Sequence, residues 1–134
     1  MPCEFDWTDA AVVKTFTGFV SGEDFARSAE TVSADPRFDG LSFIINDFRR
    51  ITGHTIDEDA YLRVAASRLG AARTNPNFRV VMVASQQVLA ELRVAVLPAV
   101  MQANFDPWFC ETLREAHDWI DGQPVDSDFR PTGF

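Results

Sequence analysis

The sequence predicts an α/β fold built on a single mixed, mostly parallel sheet of about five strands, opened by an N-terminal β-hairpin. Three observations predict it. Segments of strand character alternate with segments of helical period. Four strand-to-helix junctions carry Ser or Thr, at Ser21, Thr55, Ser85 and Thr112, spaced by about 30 residues, the length of a strand–helix unit. Two inner segments, Leu41–Ile45 and Phe78–Ala84, are nearly continuous apolar runs, which suits strands covered on both faces.

The elements follow in order. Cys3–Trp7 alternates apolar and polar residues and reads as a short strand. Thr8-Asp9 supplies a turn, and Ala11–Phe19, rich in β-branched and aromatic residues, makes the second arm of the hairpin. Gly18 marks a bend. A first helix starts at Ser21, which caps it with Asp24 three residues on. Phe25, Ala29 and Val32 form its apolar stripe, and Pro36 ends it. Asp39-Gly40 is a turn signal, Leu41–Ile45 a strand, and Arg49 to His54 a polar connection.

A second helix is expected from Thr55, with Glu58 completing a capping box and Tyr61, Val64, Ala65, Leu69 and Ala72 facing inward. Asn75-Pro76-Asn77 closes it. After the strand Phe78–Ala84, Ser85 caps a third helix with Leu89, Leu92, Val96 and Val100 as its stripe, kinked or ended by Pro98. Trp108–Cys110 is a short last strand. Thr112 and Glu115 make a capping box for a fourth helix with Leu113, Ala116 and Ile120 inward and Trp119 at their margin. This reading gives one domain over residues 1–121 and a polar tail over 122–134.

Composition narrows the function. The formal charge of −8 disfavours nucleic-acid backbones and anionic membrane surfaces. The charge is uneven: residues 49–93 carry seven Arg against four acids, while the rest is strongly acidic. Cys3 and Cys110 form no CxxC pair and read as buried thiols of a reducing compartment. No secretory leader and no apolar run of membrane-spanning length is evident, so a cytoplasmic protein is expected.

Parallel strand–helix units with crossovers of one hand open all their helix N-termini at one sheet edge, where free amides favour anions. The longest connection at that edge, Asp47 to Thr55, carries Arg49, Arg50 and His54. Asp47, Arg49, Arg50, His54, Thr55 and Ser85 are therefore the candidate binding residues. The plainer alternative is that Asp47 and the Arg pair tie a loop to the sheet. Phosphate-loop, dinucleotide, serine-hydrolase and zinc-protease motifs are absent. His54, Asp57 and Asp59 read as solvated groups at a helix start, not as a metal site. A Cys110–His117 nucleophile pair has no spacing in its favour. No catalytic residue, metal or cofactor is assigned.

The stretches VKTFTGFVSGEDF (13–25), ADPRFDGLSFIINDFRRITG (34–53), FRVVMVA (78–84) and WFCETLREAHDWI (108–120) resemble the SpoIIAA-like family of small STAS domains. The resemblance covers roughly residues 10 to 121. It implies a mixed sheet with helices packed mainly on one side, and a bacterial module that binds a protein partner. Anti-sigma-factor antagonists of that family are switched by phosphorylation of a Ser in an Asp-Ser motif at the second helix. Here the matching region reads Gly53-His54-Thr55-Ile56-Asp57, so Thr55 is the nearest hydroxyl and the motif itself is missing. Other relatives are of unassigned role, some suspected of holding apolar ligands as CRAL-TRIO domains do.

Three functions follow in order of expectation: a non-catalytic protein-interaction module, a carrier of a small apolar or amphipathic ligand, and an enzyme acting on a small anion at the Arg49–Thr55 edge. A homodimer is expected on the general frequency of symmetric pairing.

Overall fold

The structure is a computed structural model that describes residues 2–71, 75, 78–103 and 107–122. The chain order is β1 (Cys3–Trp7), β2 (Ala11–Ser21), α1 (Gly22–Ala34), a 3₁₀ turn (Pro36–Gly40), β3 (Phe43–Thr55), α2 (Glu58–Ala71), β4 (Arg79–Val83), α3 (Gln86–Ala103), β5 (Trp108–Cys110) and α4 (Leu113–Asp121). The five strands lie side by side in chain order. β1 and β2 form the expected antiparallel hairpin, and β2, β3, β4 and β5 are parallel.

Sequential order explains the layering. Each parallel crossover steps in the same direction, and crossovers of one hand then place their helices on one face. α1 packs on α2 and α2 on α3 over that face. Val12, Phe16, Val20, Ile44, Phe48, Val80 and Met82 of the sheet meet Phe25, Val32, Tyr61, Leu89 and Leu92 of the helices in the main core. Four rings form its centre: Phe16 stacks on Phe48 at 4.8 Å, and Phe25 meets Tyr61 edge-on at 5.3 Å. Each such ring, fully buried, stabilises the fold by roughly 1.5–3 kcal/mol.

α4 follows the last strand and is free of the crossover rule. It covers the opposite face, where Ile45, Val81, Val83 and Cys110 meet Ala116, with Leu113, Trp119 and Ile120 beside them. Helices are thus packed mainly, but not wholly, on one side.

Several local expectations are corrected. Arg49 to His54 is not a loop: β3 runs thirteen residues, to Thr55, because β2 continues beside it to Ser21. Two register shifts absorb the extension, one at Thr15/Thr17 and one at Gly18/Phe19, where Gly18 adopts φ 71°. Gly18 is therefore a bulge inside the strand and not its end. Thr55 does not cap α2; Asp57 does, its Oδ1 accepting from the Ala60 N–H at 3.0 Å. Pro98 lies inside α3, which continues to Ala103. Thr112 caps α4 through the Glu115 N–H at 3.0 Å, but the Glu115 carboxylate takes the Thr112 hydroxyl instead of closing a box. Asp39-Gly40 belongs to the 3₁₀ turn capped by Asp35. Cys3 is half-buried, whereas Cys110 is buried as expected, and both thiols are free.

Other expectations hold. Ser21 and Asp24 make a reciprocal capping box on α1. Tyr61, Val64 and Ala65 are the buried stripe of α2, while the Leu69 side chain and Ala72 lie outside the described residues, as do Pro76, Asn77 and the 123–134 part of the tail.

Candidate functional site

The C-terminal ends of β2, β3, β4 and β5 share one edge of the sheet with the N-termini of α1 to α4. The edge is stepped. β4 pairs with β3 only over Phe43–Asp47 before turning away at Ser85. β3 continues from Phe48 to Thr55, paired on its β2 side alone among the described strands. Backbone groups alternate in direction along a strand, so half of those in this overhang point away from β2.

A groove of about 420 Å³ runs along the open side, lined by Ile51–His54 of β3 and by Ser85, Gln87, Val88 and Glu91 of α3. Two of the sequence-predicted residues, His54 and Ser85, meet here. Ser85 Oγ accepts from the Val88 N–H at 3.4 Å. His54 bridges the groove. Its Nδ1 accepts from the Ile56 N–H at 3.1 Å, which leaves the ring proton on Nε2 to be donated to Glu91 Oε1 at 2.8 Å. Phe19, more than half exposed, lies against Gly53 from β2.

Asp47 and Arg49 form a separate unit. The Asp47 side chain is almost fully buried, and Arg49 donates to it through Nε at 2.9 Å and Nη2 at 3.0 Å, with the Arg49 backbone N–H adding a third bond. Each group is thereby satisfied by the other, so this pair ties the strand rather than offering an anion site. Arg50 is exposed at the same overhang.

Thr55 belongs to a different depression, lined by Ser21, Gly22, Glu23, Asp57, Asp59, Ala60 and Arg63. Its hydroxyl accepts from the Gly22 N–H at 3.3 Å. A Cβ at Gly22 would come within 3.0 Å of the Thr55 carbonyl oxygen and 3.2 Å of Ala60 Cβ, so glycine is what lets α1 and α2 begin side by side. Arg63 in this depression is held by Glu23 and by Glu30.

Among the described residues no three His, Cys, Asp or Glu side chains converge as metal ligands. Cys110 Sγ donates to the Thr112 carbonyl at 3.5 Å, and burial pushes its thiol up to about 11, which keeps it protonated and unreactive near neutrality. His117 is exposed on α4. No helix among the described residues is long and apolar enough to cross a membrane.

Sequence reasoning missed two residues in the core. Lys14 is 2 % exposed, and its Nζ donates to Ser28 Oγ at 3.0 Å, while Ser28 donates to the Phe25 carbonyl at 2.7 Å. Burial pushes its ammonium down to about 8, offset in part by the Cys3 thiol on β1. Beside it, at the paired position of β3, Asn46 is 2 % exposed and its Oδ1 has no hydrogen-bond partner. Both line a cavity of about 40 Å³ between α1, α2 and the sheet, walled by Phe25, Val32, Phe38, Val64 and Met82. A signal was present. Val12, Lys14 and Phe16 share one strand face by period 2, which puts a lysine at a core position.

No family model matches the chain. No curated protein matches it either. Solved structures do. The unphosphorylated form of the anti-sigma factor antagonist SpoIIAA aligns with TM-score 0.58 at 15 % identity, over 90 % of this chain and 99 % of that one. The phosphorylated Bacillus cell fate determinant SpoIIAA aligns with TM-score 0.55 at 14 % identity, over 88 % and 98 %. An uncharacterised Shewanella loihica protein with a SpoIIAA-like fold is 19 % identical, with TM-score 0.48 over 87 % and 90 %. The hairpin, the parallel β2–β5 set and the helices laid mainly on one face give this chain the SpoIIAA-like, STAS-type fold.

Proposed function

We propose that the protein is a non-catalytic regulatory module of the STAS type, working in a bacterial cytoplasm, and that a protein partner docks on the open edge of β3. One observation carries the reading: β3 passes beyond β4 from Phe48 to Thr55 beside a groove large enough for an extended segment. A strand edge with unpaired backbone groups accepts another strand, and side-chain pockets beside it give selectivity. Arg50 at the overhang favours an acidic segment, and the Phe19 ring offers it an apolar contact. The likeness to an anti-sigma factor antagonist supports the class of function, not the identity of the partner.

Thr55 is a poor place for a phospho-switch. A phosphate there would face Glu23, Asp57 and Asp59, and the nearby arginines are already held, Arg63 by Glu23 and Glu30, and Arg49 by Asp47. A bulky apolar ligand is also disfavoured, because the apolar cavity of about 40 Å³ is far below the ordinary pocket range.

The test is hydrogen exchange on the protein with a partner recovered by cross-linking in cells. Slowed exchange at 48–55, together with a tenfold or greater weakening by Arg50→Glu, supports strand addition. Protection confined to another surface sinks the site, and failure to recover any partner sinks the module.

A further inference from the structure

The buried Lys14 has no use in a docking edge, since it is 2 % exposed and its side chain is bonded to Ser28 of α1. An ammonium has three N–H donors, and one of them is given to Ser28 Oγ. None of the described residues lining the Lys14 cavity is acidic, so among them Lys14 meets no carboxylate. The Phe16 and Phe25 rings stand 5.7 Å and 5.4 Å from Nζ and offset only part of the lost hydration. Next to it the Asn46 amide keeps an oxygen with no partner. Two polar groups with unmet hydrogen bonds thus share one mostly apolar cavity, lined also by the half-buried Ala29, Ser33 and Ser67.

A buried polar group without a partner destabilises the fold, a charged one more so, and such groups are kept where something satisfies them. The cavity of about 40 Å³ has room for roughly three water molecules or for one organic molecule of similar bulk. We infer that it is a binding site for a short aliphatic monocarboxylate of about two to four carbons, whose carboxylate pairs with Lys14 and whose methyl end rests on Val32, Phe38 and Met82.

The carboxylate supplies the missing negative charge and accepts the free N–H donors of Lys14. The Asn46 amide turns about its terminal bond at little cost and then donates Nδ2 to the same carboxylate. Longer chains exceed the space, and neutral molecules of equal size leave the ammonium without its partner. The site stands apart from the β3 edge, so partner capture there can succeed or fail without touching it.

The experiment follows the Lys14 ε-methylene signal by NMR and the heat of binding while the full chain is titrated with propionate, 1-propanol and octanoate. Saturable binding of propionate in the millimolar range or tighter is expected, with 1-propanol and octanoate at least tenfold weaker. The Lys14 titration midpoint should rise when propionate is bound, because a bound anion favours the charged form. Lys14→Met, shown folded by circular dichroism, should lose the propionate response. No saturable change, equal binding of 1-propanol, an unmoved midpoint, or undiminished binding to the Met variant would each overturn the assignment. The midpoint is read on the unaltered protein, so the test survives a variant that fails to fold.

Discussion

At the scale of single residues, Lys14 makes the clearest departure from a standard core. Its folded value lies near 8, below the ordinary 10.5, so folding works against the charged form. The sign follows from linkage: the cost is fully present below about 8 and is relieved as pH rises toward the unfolded value, where the unfolded chain also loses its proton. Lys14→Met should therefore stabilise the protein near pH 7, by up to about 3 kcal/mol. That gain should shrink between about pH 8 and 10.5. Urea titrations of both proteins across that range read the difference. The two thiols act oppositely. Burial holds Cys3 and Cys110 up near 11 from 9, so each contributes stability that fades as pH climbs through that interval. Subtracting the Met variant from the parent cancels Cys110, while Cys3, which the Lys14 charge holds down, adds a change of its own in the Cys3 range. A gain that does not change with pH would show that Lys14 is not the titrating group.

At the scale of elements, the interior was legible and the overhang was not. Leu41–Ile45 and Phe78–Ala84 read as strands because both faces are covered, and burial along β3 is complete from Phe43 to Phe48. Past that point β4 no longer pairs with the strand and α3 meets it only across the groove, so most of its side chains stay polar or half-exposed, and Arg49, Arg50 and His54 look like a loop. Only its pairing with β2 makes it a strand, and pairing is a long-range property. The candidate residues lie at the one sheet edge the sequence placed them on, yet they divide: Asp47 with Arg49, His54 with Ser85, Thr55 with Gly22, and Arg50 exposed on the overhang. The capping error has the same origin. A Thr-Ile-Asp-Glu sequence offers two caps, and the extra length of β3 selects Asp57 over Thr55. Asp57→Ala should cost about 1 kcal/mol, as N-cap removals do, and Thr55→Ala less than half of that. Thermal denaturation ranks the two, and the reverse ranking would restore Thr55 as the cap.

At the scale of the whole molecule, the two faces of the sheet are unequally protected. Among the described residues, three helices cover one, whereas α4 covers a patch of the other. Trp119 is the margin of that patch. It stacks on Trp108 at 5.3 Å, meets Phe43 edge-on at 6.5 Å, and lies under the Arg79 guanidinium at 5.6 Å. Trp119→Ala should cost about 2 kcal/mol, less than a fully buried tryptophan. Trp108 fluorescence should shift to the red as its stacking partner is lost, and an unchanged spectrum would mean that the short β5 holds Trp108 by itself.

The strand order, 1-2-3-4-5, has a further consequence for how the protein comes into being on the ribosome. A chain that lays every strand against its immediate predecessor never has to wait for a later segment to fill a gap. The hairpin, α1 and β3 can settle while α2 is still in the exit tunnel, and each new strand–helix unit adds to a finished edge. Until β4 emerges, the inner half of β3 is as open as its outer half remains in the complete fold. The nascent protein therefore shows, for a few seconds, a longer version of the docking edge proposed for the mature one.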